Sequence, residues 1–221
     1  MVENESPSRM TLLFDLDGTL TDSGEGIVNS VAYALEKFGI RVEDKTELYK
    51  FVGPPLVESL AEFYSFTPEA ANEAVGYYRE YFQEKGIFEN RVYEGMEEIL
   101  KKLKAAGKRL VLATSKPEEY AVRILEHFHL AQYFDLIAGA SMDGSRIRKA
   151  DVIAYALKKC GLKDPSQAVM IGDRKYDVLG AAANGLETIG VLYGYGSREE
   201  LLEAGAVQII ERVENLAELA K

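Results

Sequence analysis

Short apolar runs alternate along this chain with longer stretches of helical period, and that alternation predicts an α/β protein. Strands are predicted at Thr11 to Phe14, Arg109 to Ala113, Leu136 to Ala138, Ala168 to Ile171, Thr188 to Leu192 and Val207 to Ile210. Between them, Glu94 to Ala106, Glu118 to Phe128, Ala150 to Cys160 and Asp177 to Asn184 carry the apolar spacing of helices. Gly107, Gly161 and Gly185 stand where helix C-terminal caps belong. Leu110-Val111-Leu112-Ala113 is apolar throughout, as a parallel strand buried on both faces must be. The expected fold is a doubly wound, mostly parallel sheet.

One interval departs from this rhythm. From about Gly24 to Asn90 the pattern is helical throughout, with Ile27, Val31, Leu35 and Phe38 on one stripe and Val75, Tyr78 and Phe82 on another. An all-helical stretch after the first strand reads as an inserted cap domain, residues 23–90, on a core of residues 1–22 and 91–221. The alternative is that these helices cover one face of the sheet.

The chain has 221 residues, enough for one such composite, and its 47% hydrophobic and 28% charged content suits a globular protein. A net charge of −10 argues against a nucleic-acid surface, which needs an excess of Lys and Arg. It does not exclude a small phosphorylated metabolite, whose charge a metal ion and a few cations can offset. No apolar run is long enough to span a bilayer and the start is polar and partly acidic, so no membrane partner and a cytoplasmic location are expected. The segment before Met10 is expected to be a short, loosely held tail. Cys160, the single cysteine, lies in an apolar helical context that favours a buried structural thiol. Oligomeric state is not legible.

Candidate chemistry gathers at predicted strand ends. Thr11 to Phe14 runs directly into Asp15-Leu16-Asp17-Gly18-Thr19, and Val169-Met170-Ile171 into Gly172-Asp173-Arg174-Lys175-Tyr176-Asp177. Open α/β sheets bind ligands at the carboxyl ends of their strands. Carboxylates this close repel unless a cation or shared proton compensates, and a hard divalent ion such as Mg²⁺ is the economical answer. Asp173 and Asp177 also read as ordinary carboxylates at a helix N-terminus. Thr114 and Ser115 precede Pro117 at a third strand end, where hydroxyl and backbone N–H groups suit an anion, or where Ser115 simply caps a helix. Arg146, Arg148 and Lys149 form a basic run that is either solvated or the source of a cation for the acidic crevice.

These residues together resemble the four ordered motifs of the haloacid dehalogenase superfamily: Asp15-x-Asp17-Gly-Thr19, Thr114, Lys149 and Gly172-Asp173-x-x-x-Asp177. The resemblance covers nearly the whole chain, including a helical cap as in the phosphoglycolate phosphatase-like branch. Phe51-Val-Gly-Pro-Pro-Leu56 and Val191-Leu-Tyr-Gly-Tyr-Gly-Ser197 look most like 5′-nucleotidase-like phosphatases.

The resemblance implies a Rossmann-like core and a phosphatase acting on a small phosphate monoester, of the nucleoside monophosphate or phosphoglycolate class. Asp15 would be the nucleophile, forming an aspartyl-phosphate, and Asp17 the acid and base. Mg²⁺ would be held by Asp15, the Asp17 backbone carbonyl and Asp173, with Asp177 holding a bound water or orienting Lys149. Thr114, Ser115 and Lys149 would bind the phosphoryl group. Gly53, in the Phe51 to Leu56 loop, and Arg79 would face the rest of the substrate, although Arg79 also reads as a surface partner of Glu80 or Glu84. Asp17 argues against a dehalogenase. A phosphonoacetaldehyde hydrolase would need a Schiff-base lysine, for which Lys50 is the nearby candidate. A sugar phosphomutase of the β-phosphoglucomutase type resembles this chain but carries a hinge histidine, where the sequence here is Ser23-Gly-Glu-Gly-Ile-Val-Asn-Ser30. A non-catalytic sensor of phosphorylated metabolites would not need both Asp15 and Asp17.

Overall fold

The computed structural model describes residues 10–221, so the tail expected before Met10 lies outside the described residues. In chain order the strands are β1 (Thr11–Phe14), β2 (Thr21–Asp22), β3 (Arg91–Val92), β4 (Arg109–Pro117), β5 (Leu136–Ala140), β6 (Ala168–Gly172), β7 (Glu187–Val191) and β8 (Gln208–Ile210). The helices are α1 (Gly24–Lys37), α2 (Leu56–Tyr64), α3 (Pro68–Tyr81), α4 (Met96–Ala105), α5 (Glu118–His127), α6 (Lys149–Cys160), α7 (Lys175–Ala182) and α8 (Arg198–Ala204).

Six strands form one parallel sheet in the order β5-β4-β1-β6-β7-β8. Strand side chains alternate between faces. Leu13, Val111 and Met170 therefore pack with Val152 and Ile153 of α6 on one side. Leu12, Phe14, Leu112 and Ile171 pack on the other, with Leu100 of α4 and Ile124 of α5. Covering both faces is why these strands are apolar at every position. The chain runs outward from β1 to β5 and then returns to β6 on the opposite flank of β1. That reversal leaves a crevice at the carboxyl end of β1, as switch points in open sheets do.

The helical segment leaves and re-enters the fold through an antiparallel pair, β2 and β3, with Thr21 opposite Val92 and Asp22 opposite Arg91. Within it, α3 packs against α1 and α2. Ile27, Val31 and Leu35 are buried as their spacing requires, and half-buried Phe38 packs on Phe66 with ring centroids 4.8 Å apart and planes tilted by 52°. Ile27, Phe51 and Tyr78 from this segment face Asp15 and Thr114 across a single cavity.

Two boundaries and one helix cap differ from expectation for local reasons. β4 runs past Ala113 to Pro117, with a shift in its register against β5, so Thr114 to Lys116 belong to an irregular strand end. Pro117 sits at the N-cap of α5 with no side-chain cap, so Ser115 is not a helix cap. α7 starts at Lys175 because Asp177 accepts the Arg174 N–H at 3.1 Å, so capping draws the first turn back by two residues. Cys160 is half-buried rather than buried, and burial still pushes its thiol upward.

Candidate active site

Asp15 leaves the carboxyl end of β1 with its amide N–H donating to the Ile171 carbonyl at 3.0 Å, which ties it to the end of β6. Asp173 leaves β6 one residue after Gly172, and Asp177 projects from the first turn of α7. Oxygens of Asp15, Asp173 and Asp177 all lie within 4.8 Å of one another, and all three side chains are buried.

Lys149 is the cation set against this cluster. As the first residue of α6 it is only 5% exposed, unlike Arg148 beside it, which pairs at the surface with Glu58. Its Nζ lies 2.8 Å from Asp15 Oδ1 and 2.8 Å from Asp177 Oδ1, and it donates to the Ala113 carbonyl at 3.1 Å. Burial alone would lower the Lys149 ammonium, but the Asp15 and Asp177 carboxylates outweigh it and hold the group above its ordinary value.

One ammonium does not balance three carboxylates. Burial, then repulsion from Asp177 and Asp15, pushes Asp173 well above the usual carboxylate range. Burial raises Asp177 to about 6 even against the pull of Lys149. A site of buried, mutually repelling oxygens fits a hard divalent cation, which would relieve both causes at once.

Asp17 stands apart from this cluster. Its Oδ1 accepts the Ser23 hydroxyl at 2.5 Å and its Oδ2 is 3.1 Å from Lys116 Nζ. Its side-chain oxygens are thus engaged by Ser23 and Lys116 and are not among the grouped oxygens of Asp15, Asp173 and Asp177. No motif or spacing in the sequence marks Lys116, since a single lysine beside Ser115 and Pro117 carries no signal of what its ammonium faces. It is 8% exposed, with its ammonium 4.5 Å from the centre of the Phe82 ring.

The cavity above these groups is floored by Asp15, Asp17, Thr114, Ser115 and Lys116. Buried Thr114 accepts the Lys116 N–H on its hydroxyl oxygen at 3.2 Å. The opposite wall is mainly apolar and includes Ile27, Phe51, Tyr78 and Phe82, together with Gly53 and Arg79. Gly53 has φ +109 and lies over Arg174, whose guanidinium donates to the Val52 carbonyl. Arg79 is half-buried and forms no ion pair with Glu80, Glu84 or another of the described residues. Lys50 lies over the Phe63 and Tyr64 rings and is not among the residues that line the cavity, which argues against the Schiff-base role considered for it. The cavity is thus lined by two carboxylates, Asp15 and Asp17, with the hydroxyls of Thr114 and Ser115 and the Lys116 ammonium, while Lys149, Asp173 and Asp177 lie behind Asp15 and are not among its lining residues.

Comparison with known proteins agrees with this geometry. The profile of the family described as "Haloacid dehalogenase-like hydrolase" matches residues 12–191. A 5′-nucleotidase of Pseudomonas aeruginosa is 46% identical over 190 residues, covering 86% of each chain. The tyrosine-protein kinase PtkA of Mycobacterium tuberculosis is 42% identical over 215 residues, 97% of this chain and 72% of that protein. A crystal structure described as a predicted phosphatase from Clostridium acetobutylicum superimposes with a TM-score of 0.93 at 54% identity, covering 96% of this chain and 98% of that one. No helix of the described residues is long and apolar enough to cross a membrane.

Proposed function

The chain belongs to the haloacid dehalogenase-like hydrolases, and we propose that it is a Mg²⁺-dependent phosphatase working through an aspartyl-phosphate on Asp15. Activity as a phosphoric monoester hydrolase on a small phosphorylated substrate follows from the family and its phosphatase relatives. The observation that carries the finer reading is the separation of the two motif aspartates: Asp15 pairs with Lys149 at 2.8 Å, Asp17 with Lys116 at 3.1 Å. Two carboxylates in different electrostatic settings can take different roles.

In this reading Asp15 attacks phosphorus while the bond to the leaving oxygen breaks, and Asp17 gives that oxygen its proton. Water then attacks the phosphoryl group, Asp17 takes a proton from it, and the Asp15 carboxylate departs. Thr114 and Ser115 donate to the phosphoryl oxygens, and Lys149 offsets their charge and holds Asp15 in line. Mg²⁺, held by Asp15, Asp173 and the Asp17 carbonyl, would supply charge neutralisation to the transferring group. Asp177 orients Lys149 through their 2.8 Å pair.

Residues 23–90 act as a cap domain on a core of residues 1–22 and 91–221, closing to exclude bulk water. The apolar, aromatic cap wall with one guanidinium, Arg79, favours a nucleoside monophosphate over phosphoglycolate. The test is a panel of phosphate monoesters assayed with Mg²⁺ for released phosphate. Release from nucleoside monophosphates supports the assignment. Phosphate passed to a tyrosyl hydroxyl, or isomerised between sugar positions without release, overturns it.

A further inference from the structure

The run Gly194-Tyr195-Gly196 follows β7 and has no part in the chemistry described above, yet it touches both the acidic cluster and the hinge. The Tyr195 N–H donates to Asp173 Oδ2 at 2.7 Å. Its hydroxyl donates to Asp22 Oδ1 at 2.6 Å and accepts the Gly24 N–H at 2.6 Å. Asp22 ends β2 and Gly24 opens α1, so this one hydroxyl grips the outgoing strand where the helical segment departs. The other Asp22 oxygen pairs at 2.6 Å with Arg91 on the returning strand. The Tyr195 ring also stacks on Tyr49 of the helical segment, with centroids 5.8 Å apart.

The backbone is shaped around these contacts. A Cβ at Gly24 would collide with the Tyr49 ring and come within 2.8 Å of the Tyr195 hydroxyl. One at Gly194 would strike the Gly18 carbonyl and lie 2.5 Å from the Asp173 carboxylate. Glycine at these positions is what lets the loop reach both the cluster and the hinge.

We infer that Tyr195 is a positioning residue that couples the orientation of Asp173 to closure of the helical segment. Its N–H holds the carboxylate of the cluster while its hydroxyl, donating to Asp22 and accepting from Gly24, braces the hinge. A cation drawn to Asp173 therefore tightens the hinge, and closure in turn tightens the cation site, as linkage requires. The inference rests on reading residues 23–90 as a cap.

The test is Tyr195→Phe, which keeps the ring stack and the N–H and removes only the hydroxyl. Hydrogen exchange is followed by mass spectrometry on peptides spanning residues 22–28 and 49–56, with EDTA or with Mg²⁺. In the unaltered protein Mg²⁺ slows exchange in both peptides. In the variant the EDTA rate rises roughly tenfold, the scale set by hydrogen bonds to a carboxylate and an amide, and the slowing by Mg²⁺ is lost. KM for phosphate release rises by about the same factor with kcat within about twofold, because saturating substrate restores the closed state. Gly24→Ala, which pushes on the same hydroxyl, gives the same exchange pattern. Exchange in Tyr195→Phe that matches the unaltered protein, or Mg²⁺ protection that survives intact, overturns the inference. Exchange reports on the hinge whether or not phosphate is released, so a failed phosphatase assay is a separate result.

Discussion

Lys116 Nζ lies 3.1 Å from the Asp17 carboxylate and 4.5 Å from the centre of the Phe82 ring. This ammonium joins the second aspartate of the first motif to the end of the helical segment. It gives Asp17 a counter-charge of its own, distinct from Lys149. We expect Lys116→Met to lower kcat by roughly 10²-fold, on the scale of a misplaced general acid. Steady-state phosphate release measures this, and a kcat unchanged within about twofold would leave Lys116 without a role in positioning Asp17.

Asp15→Asn keeps the side-chain size and removes the nucleophile. Phosphate release should fall to background while the circular dichroism spectrum and thermal midpoint stay close to the unaltered protein. Undiminished Mg²⁺-dependent release from this variant would refute the assignment of Asp15.

Lys149→Met leaves Asp15 and Asp177 buried without their cation. Breaking a buried pair in this way costs about 3–5 kcal/mol, since the charge left behind stays desolvated. Urea unfolding with EDTA should show a loss on that scale, and Mg²⁺ should restore part of it by binding the freed carboxylates. Equal losses with EDTA and with Mg²⁺ would argue against a cation at this cluster.

Asp22 supplies a pH dependence. Burial would raise its carboxyl, but the Tyr195 hydroxyl and the Arg91 guanidinium outweigh burial and hold it below the ordinary 3.8. Because the folded value is depressed, its contribution to stability is present above 3.8 and is lost as pH falls through the folded value. The stability gap between the unaltered protein and Asp22→Asn, from urea unfolding at a series of pH values, should therefore be constant near neutrality and narrow in acid. A gap that widens in acid contradicts this sign.

Arg79→Ala should raise KM for nucleoside monophosphates by roughly tenfold and leave kcat nearly unchanged, as expected for a residue that binds the leaving group without touching phosphorus. An unaltered KM would mean that its guanidinium does not reach the substrate.

The sequence alone determined the order of the six sheet strands and of the helices α4 to α7, because apolar periodicity is a local property that burial on two faces imposes, whereas the two-residue strands β2 and β3 and the short α8 carry too few positions to show a period. It also placed Asp15, Thr114 and Asp173 at strand ends, and in a parallel sheet those ends must share one edge. Only the tertiary structure decided where the flexible cations point. Lys149 turns inward while Arg148, its neighbour, turns to Glu58, and Lys116 reaches Asp17 rather than solvent. The Tyr195 to Gly24 bond spans 171 residues of sequence and has no local signature. Such pairings depend on how distant loops converge at the end of the sheet, and short-range spacing carries no record of that.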